Sequence, residues 1–585
     1  MRGRESQADG AAFFLAPGGK RDPAAELEAD LDAFAGPPVA DESDAKGEDR
    51  AQHAQCRFPA RWAWLKTTLA IDASKLPDQS CPRFEEWRAS IDADAVSLVF
   101  ADAYLNNPSS MYGHTFLRLH RAGSKTGEDL LDYTVNFAAT PDTENGFLYA
   151  VKGLIGSFPG RFSTLPYYMK IQEYNNVESR DLWEYRLSWG RLAVDRLVRH
   201  LWEMGSTHFD YFFFDENCSF QLLTLLEAAE PSLRLSEKFG FGVIPTDTLR
   251  AVLESPGLTL GARFRPSHLT QLKLRRDRLS RAERRVATRL GRGEDPDKVP
   301  ELSHLPPARQ ALALDSAHDY FRYRLGFDTE LPQDAKAAER RLLVRRGGLG
   351  IPSPELEGAP RPAPPEAGHR TRRVGFSGGT NTLGPFMDLH WRAALHDLLD
   401  DPAGYVPDHQ LEMVDAVLRF DGKRREAYFE TLDLVRLVSL SPWDPWVRKT
   451  SWFAATGLEQ ARELACAGWD CAAYYLRGGA GLSAASYVLR RETWYALAAA
   501  DFGAGPALEN GWRGGGGEIL GLKAELGPSW RVLAEAGELR YGWGPPRSTL
   551  KVSQQFRLGR GVELRMSAER RVPVNEVSAT LFGYF

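Results

Sequence analysis

Residues 550–585 read LKVSQQFRLGRGVELRMSAERRVPVNEVSATLFGYF, and the alternation in them decides the character of the C-terminal part of the chain. Leu550, Val552, Phe556 and Leu558 alternate with Lys551, Ser553, Gln555 and Arg557. Val562, Leu564, Met566 and Ala568 then alternate with Glu563, Arg565, Ser567 and Glu569. A period of two marks extended strands, because successive side chains point to opposite faces of the backbone. The last stretch, EVSATLFGYF, puts Val577, Ala579, Leu581 and Phe585 on one face and ends on an aromatic residue.

Working upstream, the same rhythm runs back to Thr371 and gives about twelve segments, with lengths suited to the roughly 9–11 residues that a tilted strand needs to cross a membrane. A soluble β-sandwich or barrel is the competing fold. GWRGGGGEILGLKAEL (511–526) and LRGGAGLSAASY (476–487) carry many glycines and few large apolar residues, which suits a barrel wall better than a two-sheet core that must be filled. These segments and the terminal Phe585 resemble a bacterial outer-membrane β-barrel with its C-terminal assembly signal. The resemblance implies short periplasmic turns, both barrel termini on that side, and an N-terminal domain in the periplasm. The first residues hold no secretory signal, since AAFFLA is too short for its apolar core. The expectation is therefore that the given chain lacks its true start.

Before the barrel, Gly348–His369 holds six prolines and reads as a semi-rigid spacer. The expected fold class is multidomain. It comprises a helical N-terminal region (1–92), an α+β domain (93–255), a helical region (256–347), the Pro-rich linker (348–370) and the all-β antiparallel barrel (371–585). The 585 residues are too many for one core. A net charge of −5, from 73 basic and 78 acidic residues, gives no pull toward nucleic acid. No window is long and apolar enough for a membrane helix. The basic runs of 256–347 read as solvated helix faces, and Gly153–Tyr168, rich in Gly, Pro and aromatics, reads as a long loop.

Chemistry points to Asp210–Glu227, DYFFFDENCSFQLLTLLE. Asp215 or Asn217 is placed to cap a helix whose apolar face is Leu222, Leu225 and Leu226, so Cys218 falls in its first turn. There the helix dipole and unpaired backbone N–H groups favour a thiolate. A buried structural cysteine is the competing reading. Of the five cysteines, Cys56 with Cys81 and Cys466 with Cys471 are candidate disulfides, which leaves Cys218 as the odd thiol. A cysteine nucleophile needs a base and a group that orients it. His114 opens the strand GHTFLRLH, and LLDYTVNFAA offers Asn136, with Asp132 and Thr134 on the same face. His120 and His208 compete with His114. Backbone N–H groups at the helix start, with Asn217 or Tyr104, are the expected oxyanion donors.

The order His strand, amide strand, Cys helix is that of circularly permuted papain-like and NlpC-type enzymes such as lecithin retinol acyltransferase. More closely, NNPSSMYGHTFLRL, LLDYTVNFAA and DYFFFDENCSFQLL resemble the Lnb N-terminal periplasmic domain family over residues 90–250. The resemblance implies thiol-dependent acyl transfer with Cys218 as nucleophile and His114 as base. The name-giving lipoprotein N-acyltransferase has membrane helices where this chain has a barrel, so its substrate does not carry over. The leading expectation is an acyltransferase or acyl hydrolase acting on phospholipid or lipoprotein at the periplasmic face of the outer membrane. The alternatives are a peptidoglycan or protein amidase, and a non-catalytic barrel protein with a periplasmic interaction domain. No cofactor is expected, and no His/Cys/Asp/Glu cluster shows metal-ligand spacing.

Overall fold

The computed structural model describes residues 5–38, 52–105, 110–123, 129–143, 145–240, 242–327, 334–353 and 361–585. It forms two units, Met1–Arg281 with Leu312–Gly348 and Ala282–Ala311 with Leu349–Phe585.

The first unit is built on a seven-stranded antiparallel sheet. Its strands are β1 (Ala93–Ala101), β2 (His114–Arg121), β3 (Tyr133–Ala139), β4 (Phe158–Pro166), β5 (Leu182–Leu187), β6 (Phe209–Tyr211) and β7 (Thr259–Arg265), in the order β6-β4-β3-β2-β1-β5-β7. Three helices matter for the site: α1 (Pro59–Thr68), α2 (Arg191–Met204) and α3 (Cys218–Ala229). Leu98 and Phe100 of β1, Leu117 and Leu119 of β2 and Val135 of β3 pack against Leu197 and Leu201 of α2 and Leu222, Leu225 and Leu226 of α3. The other face carries Val99, Ala101 and Phe116 against Tyr167, Ile171 and Tyr174. Both faces are covered, which is why β1 reads as an almost unbroken apolar run.

One expectation changes here. The segment read as a loop at Gly153–Tyr168 contains all of β4, a strand paired with β3 and β6, preceded by the helix Gly146–Leu154. Its Gly160 marks a close approach: a Cβ there would lie 2.4 Å from the Phe137 ring. Residues 1–92 are helical but not separate in packing, since Phe13, Phe58 and Trp62 share a cluster with Phe137, Phe209 and Cys218. Just beyond residue 255, β7 pairs with β5 and extends the same sheet. The rest of that region is helical, from His268–Asp277 to Ala335–Gly347. Of the NNPSS motif, residues 106–109 lie outside the described residues.

The second unit holds a closed twelve-stranded antiparallel barrel, running from the strand Arg373–Asn381 to the strand Val574–Tyr584. These two close it, Arg373 pairing with Tyr584 and Glu576 with Asn381. Leu550 and Val552 are 53% and 44% exposed, whereas Ser553 and Gln555 are 3% and 0% exposed. Apolar groups therefore face out and polar groups face in, the inverse of a soluble barrel and the construction of a transmembrane one. Phe376, Met387, Trp494, Leu520 and Leu581 extend the outward apolar surface. Contrary to the expectation of uniformly short turns at the end bearing the barrel termini, the connections 397–408 and 440–450 there are long.

Cys56 pairs with Cys81 and Cys466 with Cys471, and Cys218 is free and buried. His369, His396 and Asp400 bring ligand-type atoms within 4.8 Å of one another, a cluster that sequence spacing does not reveal. Asp400 is already engaged by Arg392 at 2.7 Å and by the Tyr584 hydroxyl at 2.5 Å, and His369 Nε2 lies 3.0 Å from His396 Nδ1. The cluster belongs to the polar filling of the barrel.

Candidate active site

Asn217 is the N-cap of α3. Its Oδ1 accepts from the Ser219 and Phe220 backbone N–H groups and from the Ser219 hydroxyl, which fixes the helix start and seats Cys218 as its first residue. Its Nδ2 donates to the Phe213 and Val243 carbonyls at 3.2 and 2.7 Å. Both amide hydrogens are thereby engaged, so Asn217 serves here as a structural cap. The Cys218 backbone N–H donates to the Tyr211 hydroxyl, which also contacts the thiol. The first-turn N–H groups expected to bind an oxyanion are thus occupied within the domain. Two backbone N–H groups favour the thiolate form of the sulfur, that of Thr115 on β2 and, less strongly, that of Ser219 in the helix's first turn. Tyr104 is half-buried and donates its own N–H to the Ser110 carbonyl at 3.0 Å.

His114 and Asn136 come together across β2 and β3, His114 Nε2 lying 2.7 Å from Asn136 Oδ1, with both side chains buried. The amide oxygen is an acceptor only, so Nε2 carries the proton and Nδ1 keeps the lone pair. That tautomer leaves Nδ1 as the basic atom. The His114 ring lies 5.4 Å from that of Tyr174, and Tyr174 in turn feels the charge of Cys218. The neighbouring residue, Thr115, donates to Cys218 directly. Tyr174 and Thr115 are thus the neighbours that His114 and Cys218 share.

Electrostatics differ from the reading of the helix start alone. Burial pushes the Cys218 thiol up, against the opposing pull of the Thr115 N–H, the Tyr211 hydroxyl and the Arg180 guanidinium. Burial also pushes His114 down to about 3, opposed by its bond to Asn136 and reinforced by Arg180 and Lys170. Desolvation outweighs the helix dipole, and the resting pair is a neutral thiol and a neutral imidazole. Arg180 is itself clamped, donating to the Asp102 carbonyl at 2.5 Å, the Ala101 carbonyl at 3.0 Å and Glu178 at 2.9 Å. Thr115 Oγ1 and the Tyr112 hydroxyl are buried and make no hydrogen bond among the described residues.

Of the competing histidines, His120 has other work. His120 bonds the Ser97 hydroxyl at 2.6 Å, and its Nδ1 lies 3.5 Å from Asp132, whose other bonds include Arg118. His208 is half-buried and accepts the Asp9 N–H on its carbonyl. Thr134 bonds the Leu165 carbonyl. Sequence reasoning missed Tyr211, Thr115, Tyr174 and Arg180. Tyr211 lies within the quoted Cys218 stretch, but no spacing rule gives the other three a role.

Residues 83–255 match the Lnb N-terminal periplasmic domain. Three domains of unknown function match the remainder: DUF7843 at 1–68, DUF7842 at 262–357 and DUF7840 at 362–583. No curated protein matches the chain. Similar solved structures include the KdgM porin, at 9% identity over 36% of this chain and 99% of that chain with a TM-score of 0.23. An outer membrane channel from Pseudomonas putida F1 shows 11% identity over 40% and 99%, with a TM-score of 0.25. The Acinetobacter baumannii outer membrane protein Omp33 shows 12% identity over 37% and 99%, with a TM-score of 0.20. The barrel assignment rests on its own closure and inverted polarity. With the Lnb-like match, that construction puts the chain in the outer membrane, its N-terminal domain in the periplasm.

Proposed function

We propose that the Lnb-like domain is a cysteine-dependent acyltransferase or acyl hydrolase acting on lipid or lipoprotein carbonyls at the periplasmic face of the outer membrane. The observation that carries the reading is the tautomer of His114: Asn136 accepts its Nε2–H at 2.7 Å and leaves the Nδ1 lone pair to take a proton, in a domain whose Cys218 is a free thiol. Because thiol and imidazole are both neutral at rest, the proton passes from Sγ to His114 Nδ1 as the sulfur attacks the carbonyl carbon. The tetrahedral oxyanion collapses, the leaving group takes the proton from His114, and a thioester remains. An amine, hydroxyl or water then adds to the thioester, gives its proton to His114, and releases Cys218. Thr115 Oγ1 and the Tyr112 hydroxyl, buried and without a hydrogen bond among the described residues, are suited to donate to the substrate.

The experiment compares Cys218→Ala with wild type by mass spectrometry of lipoprotein N-termini, phospholipids and muropeptides. Acyl-group changes in lipid or lipoprotein are expected. A change confined to muropeptides would transfer the same chemistry to an amidase, and unchanged profiles would remove catalysis.

A further inference from the structure

We infer that the barrel is sealed at both ends and serves as a non-conducting membrane anchor. A twelve-stranded wall lies between small barrels filled by side chains and large ones that leave an aqueous channel, so the strand number alone does not decide. The contents of the lumen do.

At the end bearing Arg373 and Tyr584, the connection 397–408 folds inward. Leu398 packs with Tyr495, Leu497 and Leu539 in a buried apolar cluster inside the wall. Asp397 is held by Arg373 at 2.6 Å and Arg565 at 2.8 Å, and Asp400 by Arg392 at 2.7 Å. Arg531 donates to the Leu399 carbonyl at 2.6 Å, while Lys523 and Arg491 reach Asp408 at 3.0 and 2.5 Å. These cations stand on six different strands spread around the ring, so the segment is gripped from most sides.

The opposite end is closed by the wall itself. Arg547 pairs with Glu459, one contact being 2.8 Å, and their strands Arg547–Gly559 and Ser451–Gln460 lie five places apart in the ring of twelve. That pair is a chord across the lumen. Arg477 joins Glu459 at 3.0 Å, and Arg419 ties Asp388 at 2.8 Å to Glu576 at 2.6 Å. Arg462 pairs with Glu430, which also lies 3.4 Å from Arg419. Charges buried this deeply persist only while paired, so the pairs oppose opening. An open pore lined by like rows of charge would leave these groups in water; here opposite walls spend them on one another.

The test is conductance of the full-length protein in planar lipid bilayers in potassium chloride, with heat-modifiable gel migration as the check that each barrel is folded. Wild type is expected to show no discrete steps. A variant with residues 398–407 replaced by a Gly/Ser linker together with Glu459→Ala is expected to gain ohmic steps. If that variant does not fold, the size-conserving Asp397→Asn, Asp400→Asn and Glu459→Gln combination is expected to gain them instead. Steady steps from wild type, or a folded relieved variant as silent as wild type, would overturn the inference.

Discussion

Glu203 offers the sharpest test of how the N-terminal residues are fastened to the Lnb-like domain. It stands on α2, is 2% exposed, and its Oε1 accepts the Ala60 and Arg61 N–H groups at 2.6 and 2.9 Å, in the first turn of α1. Burial outweighs these bonds and the nearby Arg61, and pushes the carboxyl up from 4.5 to about 7. Between those two pH values the folded state keeps a proton that the unfolded state has released. The unfolded state then binds fewer protons, so stability falls as pH rises. The contribution is intact below the unfolded value and is lost as pH passes through about 7. At about 1.4 kcal/mol per unit the swing is roughly 3 kcal/mol. Glu203→Gln keeps an oxygen acceptor for both N–H groups but cannot ionise. Hydrogen exchange of α1 and α2 peptides in the full-length protein, compared between variant and wild type at each pH, isolates the effect. The variant should match wild type in mild acid and be better protected above neutrality, by up to roughly a hundredfold when that swing is converted at 1.4 kcal/mol per tenfold. A difference independent of pH would refute the reasoning.

Other expectations follow from the same geometry. Asn136→Ala should destabilise the domain by about 1–3 kcal/mol in denaturant unfolding, because a buried His114 N–H loses its acceptor. Asn217→Ala should cost about 1–2 kcal/mol by the same measurement and raise the alkylation rate of Cys218, since the helix start loses its cap. The pH profile of wild-type Cys218 alkylation should have its midpoint above that of a free thiol, and Tyr211→Phe should move it higher by removing a hydroxyl that favours the thiolate. A midpoint below that of free cysteine would contradict the burial argument. Gly160→Val should lower the melting temperature sharply, because its side chain meets the Phe137 ring.

Much of the architecture was legible in the residues. Period-two alternation from Leu550 onward marks strands regardless of context, and glycine-rich segments such as 511–526 argue against a filled two-sheet core. Asn217 before Cys218 marks a helix start because capping is a local interaction, settled within four residues. β4 was hidden because FPGRFSTLP carries loop-forming residues, and its glycine answers to Phe137, a contact made only across the sheet. Alternation also left open which face of the barrel meets lipid until closure turned Ser553 and Gln555 inward.

At the site, the sequence by itself determined the residue types, the His-before-Cys order and the helix position of the thiol. Only the tertiary structure decided their state. The protonation of Cys218 and His114 follows from desolvation and from Tyr211, Thr115, Asn136 and Arg180, which converge from separate strands and loops. Charge in a folded protein is set by everything within a few ångströms, whereas a sequence window reports only what is near along the chain.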